Sequence, residues 1–244
     1  MQHPVVSKEE WLAARKALLA KEKELTRARD ALAAERRELP WVKIEKHYVF
    51  DSAHGKVTLV DLFEHRSQLM IYHFMFSPDW DAGCTGCSFL CDHVDAARRH
   101  FEHNNLSFVA VSRTSVDKIE AYKKRMGWTF RWVSSLGSDF NYDFNVSFRK
   151  AALEAGQVEY NFRPQKLSME DMHGESMFFK DADGTIYHTY SSYERAGEEL
   201  AATYRFLDLA PLGRNEGPGG NMMKWMRRHD EYEPMPRPAD HAAE

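Results

Sequence analysis

The chain has no excess of positive charge, no long apolar run and little cysteine, and each shortage removes a class of function. Lys and Arg number 33 against 37 Asp and Glu, a formal net charge of −4 over 244 residues. The basic footprint that phosphate backbones require is missing, so nucleic acid is not an expected partner. The longest nearly apolar stretch, Leu69 to Phe76, is far short of the roughly 20 residues that cross a bilayer. Ser7, Glu9 and Glu10 stand where a secretory signal would carry apolar residues. No membrane partner is expected, and the chain reads as cytoplasmic. Cysteine occurs only at positions 84, 87 and 91, which excludes a framework of disulfide staples. The 43% apolar and 29% charged residues are those of a folded protein with one sizeable domain and appendages. Internal repeats are absent.

From Ser7 to Leu39 the chain is rich in Ala, Leu, Glu, Lys and Arg and lacks Gly and Pro, which predicts one long helix ended by Pro40. Ser7 and Glu10 have the spacing of a capping box. Trp11, Leu18, Leu25, Leu32 and Leu39 recur every seven residues. Their narrow seam packs either on the body of the protein or on a second copy of the helix, giving a homodimer. Beyond Pro40 the period shortens. Strands are expected at His47–Phe50, Lys56–Val60, Leu69–Phe76, Leu106–Ser112 and Thr129–Ser134, with helices at Ser88–Asn104 and Ser115–Met126, the latter stopped by Gly127. Leu136–Glu175 is aromatic and loop-rich. Strands at Ser176–Lys180 and Thr185–Thr189 then flank the turn Asp181-Ala182-Asp183-Gly184, followed by a helix over Glu194–Leu207. The alternation predicts an α/β sheet with parallel strands covered on both faces. It divides the chain into a helical extension (7–39), a domain (40–211) and a C-terminal tail (212–244) with a short helix near Met222–His229 and a mobile Pro-rich end.

The three cysteines lie where a hydrophobic strand gives way to a helix. A thiol at that junction faces unsatisfied N–H groups that favour the thiolate, which makes Cys84 the natural nucleophile. Cys87, three residues on, is close enough to close a disulfide with it and so to resolve a mixed disulfide. Asp79 and Asp81 disfavour an anion nearby and suit proton relay or substrate recognition. Two other readings stand beside the redox dithiol. Cys91 shares a helical face with Cys87, so three thiols can hold a soft metal, or the thiols simply pack. A fourth ligand and a second CxxC are missing, so no metal is expected, and no cofactor is called for. His73 and His188 are candidate acid-base groups, with Tyr190, Ser191 and Tyr193 as candidate pocket residues. Arg113 and Thr114 follow a strand where open sheets place ligand loops. Asn141, Asp143 and Asn145 are candidates for a lid, or for ordinary turn chemistry.

The order strand, CxxC, helix, strand, helix, hairpin, helix resembles the thioredoxin fold. Ser176–Gly184 resembles the late strand and turn of peroxiredoxin-like members, and Gly55–Leu59 their early hairpin. Nearly the whole chain is similar to an uncharacterised bacterial thioredoxin-like family predicted to be dithiol-disulfide oxidoreductases. The likeness is carried by Arg36–Trp41, Tyr72–Phe76, Met126–Trp128, Asp139–Asn141, His188–Ser191 and Leu207–Pro211. It implies a three-layer thioredoxin-like fold with a long N-terminal helix, an aromatic-rich insertion and a C-terminal tail. It also implies a partner that is a disulfide-containing protein or a small-molecule thiol. The implied catalytic pair is Cys84 and Cys87. Asp79, Trp80, Thr85 and Gly86 are the expected substrate contacts, with Glu175 and Ser176, which stand where thioredoxins set a cis-proline against the dithiol. Gly83 replaces the tryptophan that precedes the first cysteine in thioredoxins, and Thr85-Gly86 their Gly-Pro. Glu175 replaces a peroxiredoxin arginine, and Asp81 their hydroxyl three residues before the reactive cysteine, so a peroxide site is not recognisable. A non-catalytic binding module, with or without a metal, is the alternative, and a thiol peroxidase the third choice.

Overall fold

The computed structural model describes residues 3–217, 219–220 and 222–233; the Pro-rich end expected to be mobile lies outside them. By contacts the chain forms two units, Met1–Trp41 and Val42–Glu244. The first is helix α1, Lys8–Arg37, none of whose residues is buried. Its capping box is formed. The Glu10 N–H donates to Ser7 Oγ at 3.2 Å and the Ser7 N–H to the Glu10 carboxylate at 2.9 Å, which pairs two of the donors that a helix start leaves orphaned.

The second unit runs β1 (Val42–Lys43), β2 (Val49–Ser52), β3 (Gly55–Thr58), α2 (Leu59–Leu62), β4 (Gln68–His73), α3 (Thr85–Cys91), α4 (Val94–His103), β5 (Leu106–Ser112), α5 (Val116–Met126) and β6 (Arg131–Ser134). An insertion follows, with α6 (Phe140–Asp143), α7 (Lys150–Glu154) and the small pair β7 (Val158–Tyr160) and β8 (Arg163–Gln165). The chain returns through β9 (Gly174–Lys180), β10 (Ile186–Tyr193), a 3-10 helix (Glu194–Leu200) and α8 (Ala202–Leu209). Eight strands form one sheet in the order β1-β10-β9-β4-β5-β6-β2-β3. Strands β4 and β5 are parallel, while β9 lies antiparallel to β4 and β10 antiparallel to β9. A parallel pair joined through helices, bordered by an antiparallel hairpin and closed by a last helix, is the thioredoxin arrangement. The fold is α/β and thioredoxin-like.

Strand alternation divides the core between the two faces. Leu69 and Ile71 of β4, with Val109 and Val111 of β5, join Phe63, Phe140 and Phe144 on one side. Tyr72, Phe108 and Ala110 turn to the other, against Cys87, Leu90, Ile119 and Tyr122 of α3 and α5. Helix α5 ends as expected at Gly127, whose φ of +67° is a left-handed cap.

Local pattern misjudged three elements. The single helix expected over Ser88–Asn104 is two, α3 and α4, broken at Asp92 and His93. Neither residue is a helix breaker. Instead Asp92 accepts from Trp128 Nε1 at 2.9 Å, and the His93 ring bonds Thr203 at 2.7 Å, so contacts distant in sequence set the bend. The helix expected over Glu194–Leu207 begins as a 3-10 turn and becomes α-helical only at Ala202. The short helix expected near Met222–His229 is two 3-10 turns, Met222–Lys224 and His229–Glu231.

Candidate functional site

Cys84 caps the start of α3 at the carboxyl end of the β4 segment, and its N–H donates to the Met75 carbonyl at 3.0 Å. The loop from Phe74 to Gly83 that delivers it is held from three directions. Lys118 of α5 donates to the carbonyls of Pro78 at 2.7 Å and Trp80 at 2.8 Å. Ser77 donates to the buried Asp171 of the insertion. Arg228 of the tail donates to the Gly83 carbonyl at 2.7 Å, and its Nε donates to Tyr122 Oη at 2.9 Å. Gly83 itself is wedged between rings. A Cβ there would lie 2.6 Å from Phe74 and 2.9 Å from Tyr122, which is why no tryptophan or other side chain precedes the first cysteine.

All three thiols are free. The Cys87 thiol beside it is the main reason that Cys84 is brought down to about 6; the backbone N–H groups of Cys87 and Gly86 and the positive Arg228 act in the same sense. Since α3 has only seven residues, these local donors matter more than a helix dipole. Cys87 is 2% exposed, and burial pushes its thiol well above the usual range although the neighbouring Tyr72 hydroxyl acts in the opposite sense. One thiol is therefore poised to ionise and the other holds its proton. Cys91 is fully buried in the same core and also raised by burial. Among the described residues, no three His, Cys, Asp or Glu side chains come together as metal donors.

Two hollows meet at Cys84. A cavity of about 490 Å³ runs inward over Cys87 and Tyr72, walled by Met75, Met169, Met172, Met223 and Met226. A more open, polar groove on the other side is lined by Asp79, Trp80, Asp81, Thr85 and Arg228. Of the expected substrate contacts, Asp79, Trp80 and Thr85 line the groove, and Gly86 lines the cavity. Glu175 and Ser176 line neither. Glu175 is 3% exposed, opposite Tyr72 in the strand register, and accepts from Ser192 at 2.9 Å. Its other oxygen has no partner, and burial pushes its carboxyl up to about 7. Ser176 points through the opposite face of the sheet, as strand alternation requires.

There Ser176 joins a buried chain. Its Oγ lies 2.8 Å from His73 Nε2 and 2.8 Å from Ser191 Oγ, which is 2.7 Å from His188 Nε2. His73, stacked on Phe140 and Phe144, is lowered to about 3 by burial. Neither histidine expected to serve the thiols lies on their side. The other candidates carry structural duties as well. Arg113 pairs with Glu170 at 2.9 Å and Asp171 at 3.0 Å, and Thr114 is buried, its carbonyl accepting from Ser134. Asn141 accepts from Ser135 at 2.8 Å, Asp143 from Lys46 and Tyr48, and Asn145 takes a positive φ of 53°. Tyr193 donates to the Phe144 carbonyl at 3.0 Å. The part of the insertion that reaches the thiols is Met169, Met172 and His173. Tyr72, Arg228 and the methionine wall escaped the sequence reading. Strand alternation could have found Tyr72, since it excludes His73 from the cysteine face; nothing local announced the others.

The family model described as "Bacterial protein of unknown function (DUF899)" matches residues 1–232. The chain belongs to that family. A search of the curated proteins found no match. Among solved structures, the chain is similar to peroxidoxin BcpB from Mycobacterium tuberculosis, at 14% identity and a TM-score of 0.43 over 69% of this chain and 97% of that one. It is also similar to a mutant of PrxQ from Xylella fastidiosa, at 16% identity and a TM-score of 0.40 over 66% and 89%. The bacterioferritin comigratory protein of Xanthomonas campestris matches at 14% identity and a TM-score of 0.42 over 68% and 93%. The strand order, rather than these scores, identifies the fold. Among the described residues no helix is long and apolar enough to cross a membrane.

Proposed function

We propose that the protein is a thiol-disulfide oxidoreductase in which Cys84 is the nucleophile and Cys87 the resolving thiol. The observation that carries this reading is the placement of the pair: Cys84, partly exposed, caps the start of α3 and borders both hollows, with the buried Cys87 three residues on in the wall of the inner one. Cys84 attacks one sulfur of a substrate disulfide, expels the other half as a thiolate and retains a mixed disulfide. Cys87 then gives up its proton and attacks Cys84, releasing the second half as a thiol and leaving Cys84 joined to Cys87. Tyr72, beside Cys87 in the cavity wall, steadies the sulfur as it ionises. Asp79, Trp80 and Thr85 form the polar approach, and Gly86 opens the way to the cavity. Glu175 and Ser176 act from behind the wall, through the packing of β9. The exposed seam of α1 serves self-association.

Replacing Cys84 with Ser abolishes turnover of a disulfide substrate, whereas Cys87→Ser accumulates a mixed disulfide on Cys84, both read by mass spectrometry of the intact chain. Undiminished turnover in the two variants would overturn the reading.

A further inference from the structure

The two hollows that meet at Cys84 differ in chemistry, and the difference speaks to what the thiol attacks. The inner cavity, at about 490 Å³, lies within the usual range for a small-molecule site of roughly 300–1,000 Å³. Its wall carries five methionines, with Phe89, Leu90 and Ala201. The charged groups and His173 on that wall are already committed within the protein, and among the polar atoms the Tyr204 hydroxyl is buried without a partner. Glu194 accepts from Asn161 at 2.8 Å and Gln165 at 3.1 Å, while Glu198 accepts from Arg195 at 2.6 Å and Arg214 at 2.9 Å. The ring of His173 bonds the Glu194 carbonyl at 3.0 Å, and burial lowers its pKa. The Tyr204 hydroxyl can pair one group of a bound peptide, but its remaining N–H and C=O groups would be left unpaired, at a cost of about 1–3 kcal/mol each. A hydrocarbon chain would leave none. Methionine side chains, unbranched and flexible, adapt to such a chain without fixing one shape. On the outer side, Asp79 and Asp81 offer charge and hydrogen bonds to a polar group, and Arg228, already bonded to Gly83, Tyr122 and Glu231, adds a positive charge.

Resting on the dithiol reading, we infer that the substrate is an amphipathic small-molecule disulfide. Its alkyl half enters the methionine cavity and its polar half lies in the outer groove, with the sulfur pair at Cys84. The Cys84 thiolate forms a bond to the alkyl-bearing sulfur, and the polar half leaves along the groove as a thiolate that takes a proton from water. Cys87 then loses its proton and displaces the alkyl thiolate, which takes up a proton in turn. Two electrons pass from the dithiol to the substrate, and two thiols are released against one Cys84–Cys87 disulfide.

The test uses the full-length reduced protein in single turnover with 2-hydroxyethyl alkyl disulfides whose alkyl chains run from one to eight carbons. The second-order rate of Cys84–Cys87 formation is followed by acid quench and mass spectrometry. Burial of each methylene contributes about fourfold to that rate until the cavity is filled. Met169, 43% exposed at the junction of the two hollows, tolerates Met169→Lys, and the variant flattens the dependence on chain length. A merely structural loss would lower the rate for every chain alike. If all the disulfides oxidise the dithiol at one rate whatever their chain length, the amphipathic substrate is overturned and the dithiol reading stands. If none of them, the shortest included, yields a Cys84–Cys87 disulfide, both fall together.

Discussion

A thiol that ionises near pH 6 leaves a record in its reaction rate. Alkylation of Cys84 by iodoacetamide is expected to rise with pH through a midpoint near 6 and to level off before neutrality, where an ordinary thiol would still be climbing toward about 8.5. Arg228→Gln removes the positive charge that favours the thiolate and moves the midpoint upward, with Cys87 left in place beside Cys84. Glu175 leaves its record in stability. Burial raises it to about 7 from the ordinary 4.5, so between those values the folded chain holds a proton that the unfolded chain has lost. The associated stability is fully present below about 4.5 and is lost as pH rises through about 7. His73, lowered to about 3, works in the other direction: its contribution is present above about 6.5 and is lost as pH falls through about 3. The comparison of wild type with Glu175→Gln cancels the His73 part. Glu175→Gln should gain about 3 kcal/mol relative to wild type between pH 4.5 and pH 8, measured by urea unfolding at both. An unchanged difference between the two pH values would place the Glu175 proton elsewhere.

At the scale of elements, the 3-10 helix Glu194–Leu200 sits so close to β9 that only glycine fits at one point. A Cβ on Gly197 would lie 2.2 Å from Glu175 Oε1 and 3.4 Å from Leu90. Gly197→Ala should therefore cost about 1–3 kcal/mol in urea unfolding, as overpacking does. Adding Glu175→Ala should recover most of that loss, a non-additivity that marks a direct contact. Simple additivity of the two changes would show that Gly197 matters for another reason. The elements also show where sequence pattern stops being informative. The Cys84 to Cys87 spacing, the Gly127 cap and the Asp181 to Gly184 turn are local devices, each decided by a few adjacent residues, and each was legible. The break between α3 and α4 is set by partners such as Trp128 and Thr203, which no window around Asp92 contains. Arg228, 145 residues from Gly83, was hidden for the same reason. The methionine wall draws on β4's exit loop, the insertion and the tail, three segments that nothing in the sequence ties together.

On the scale of the whole molecule, α1 raises a question that the thioredoxin-like unit does not answer. Thirty residues of helix, about 45 Å at the usual rise, bury none of their side chains. Trp11, Leu18, Leu25 and Leu32 are 57, 52, 53 and 48% exposed, and their seven-residue spacing aligns them in one seam. An isolated helix in water gains little beyond its propensity, and most helical stability comes from packing an apolar face. The companion positions Ala14, Lys21, Ala28 and Glu35 make the seam thinner than a full heptad core, so pairing of two chains through it is weak and depends on concentration. Sedimentation velocity across a hundredfold range of protein concentration is expected to show a monomer passing to a dimer. Leu18→Glu combined with Leu25→Glu puts like charges into the seam, and the doubly substituted chain should stay monomeric throughout. Because both residues are already half exposed, the substitutions disturb no buried packing, and the folded monomer should survive them. A wild-type chain that remains monomeric over the whole range would rule out pairing of two chains through α1.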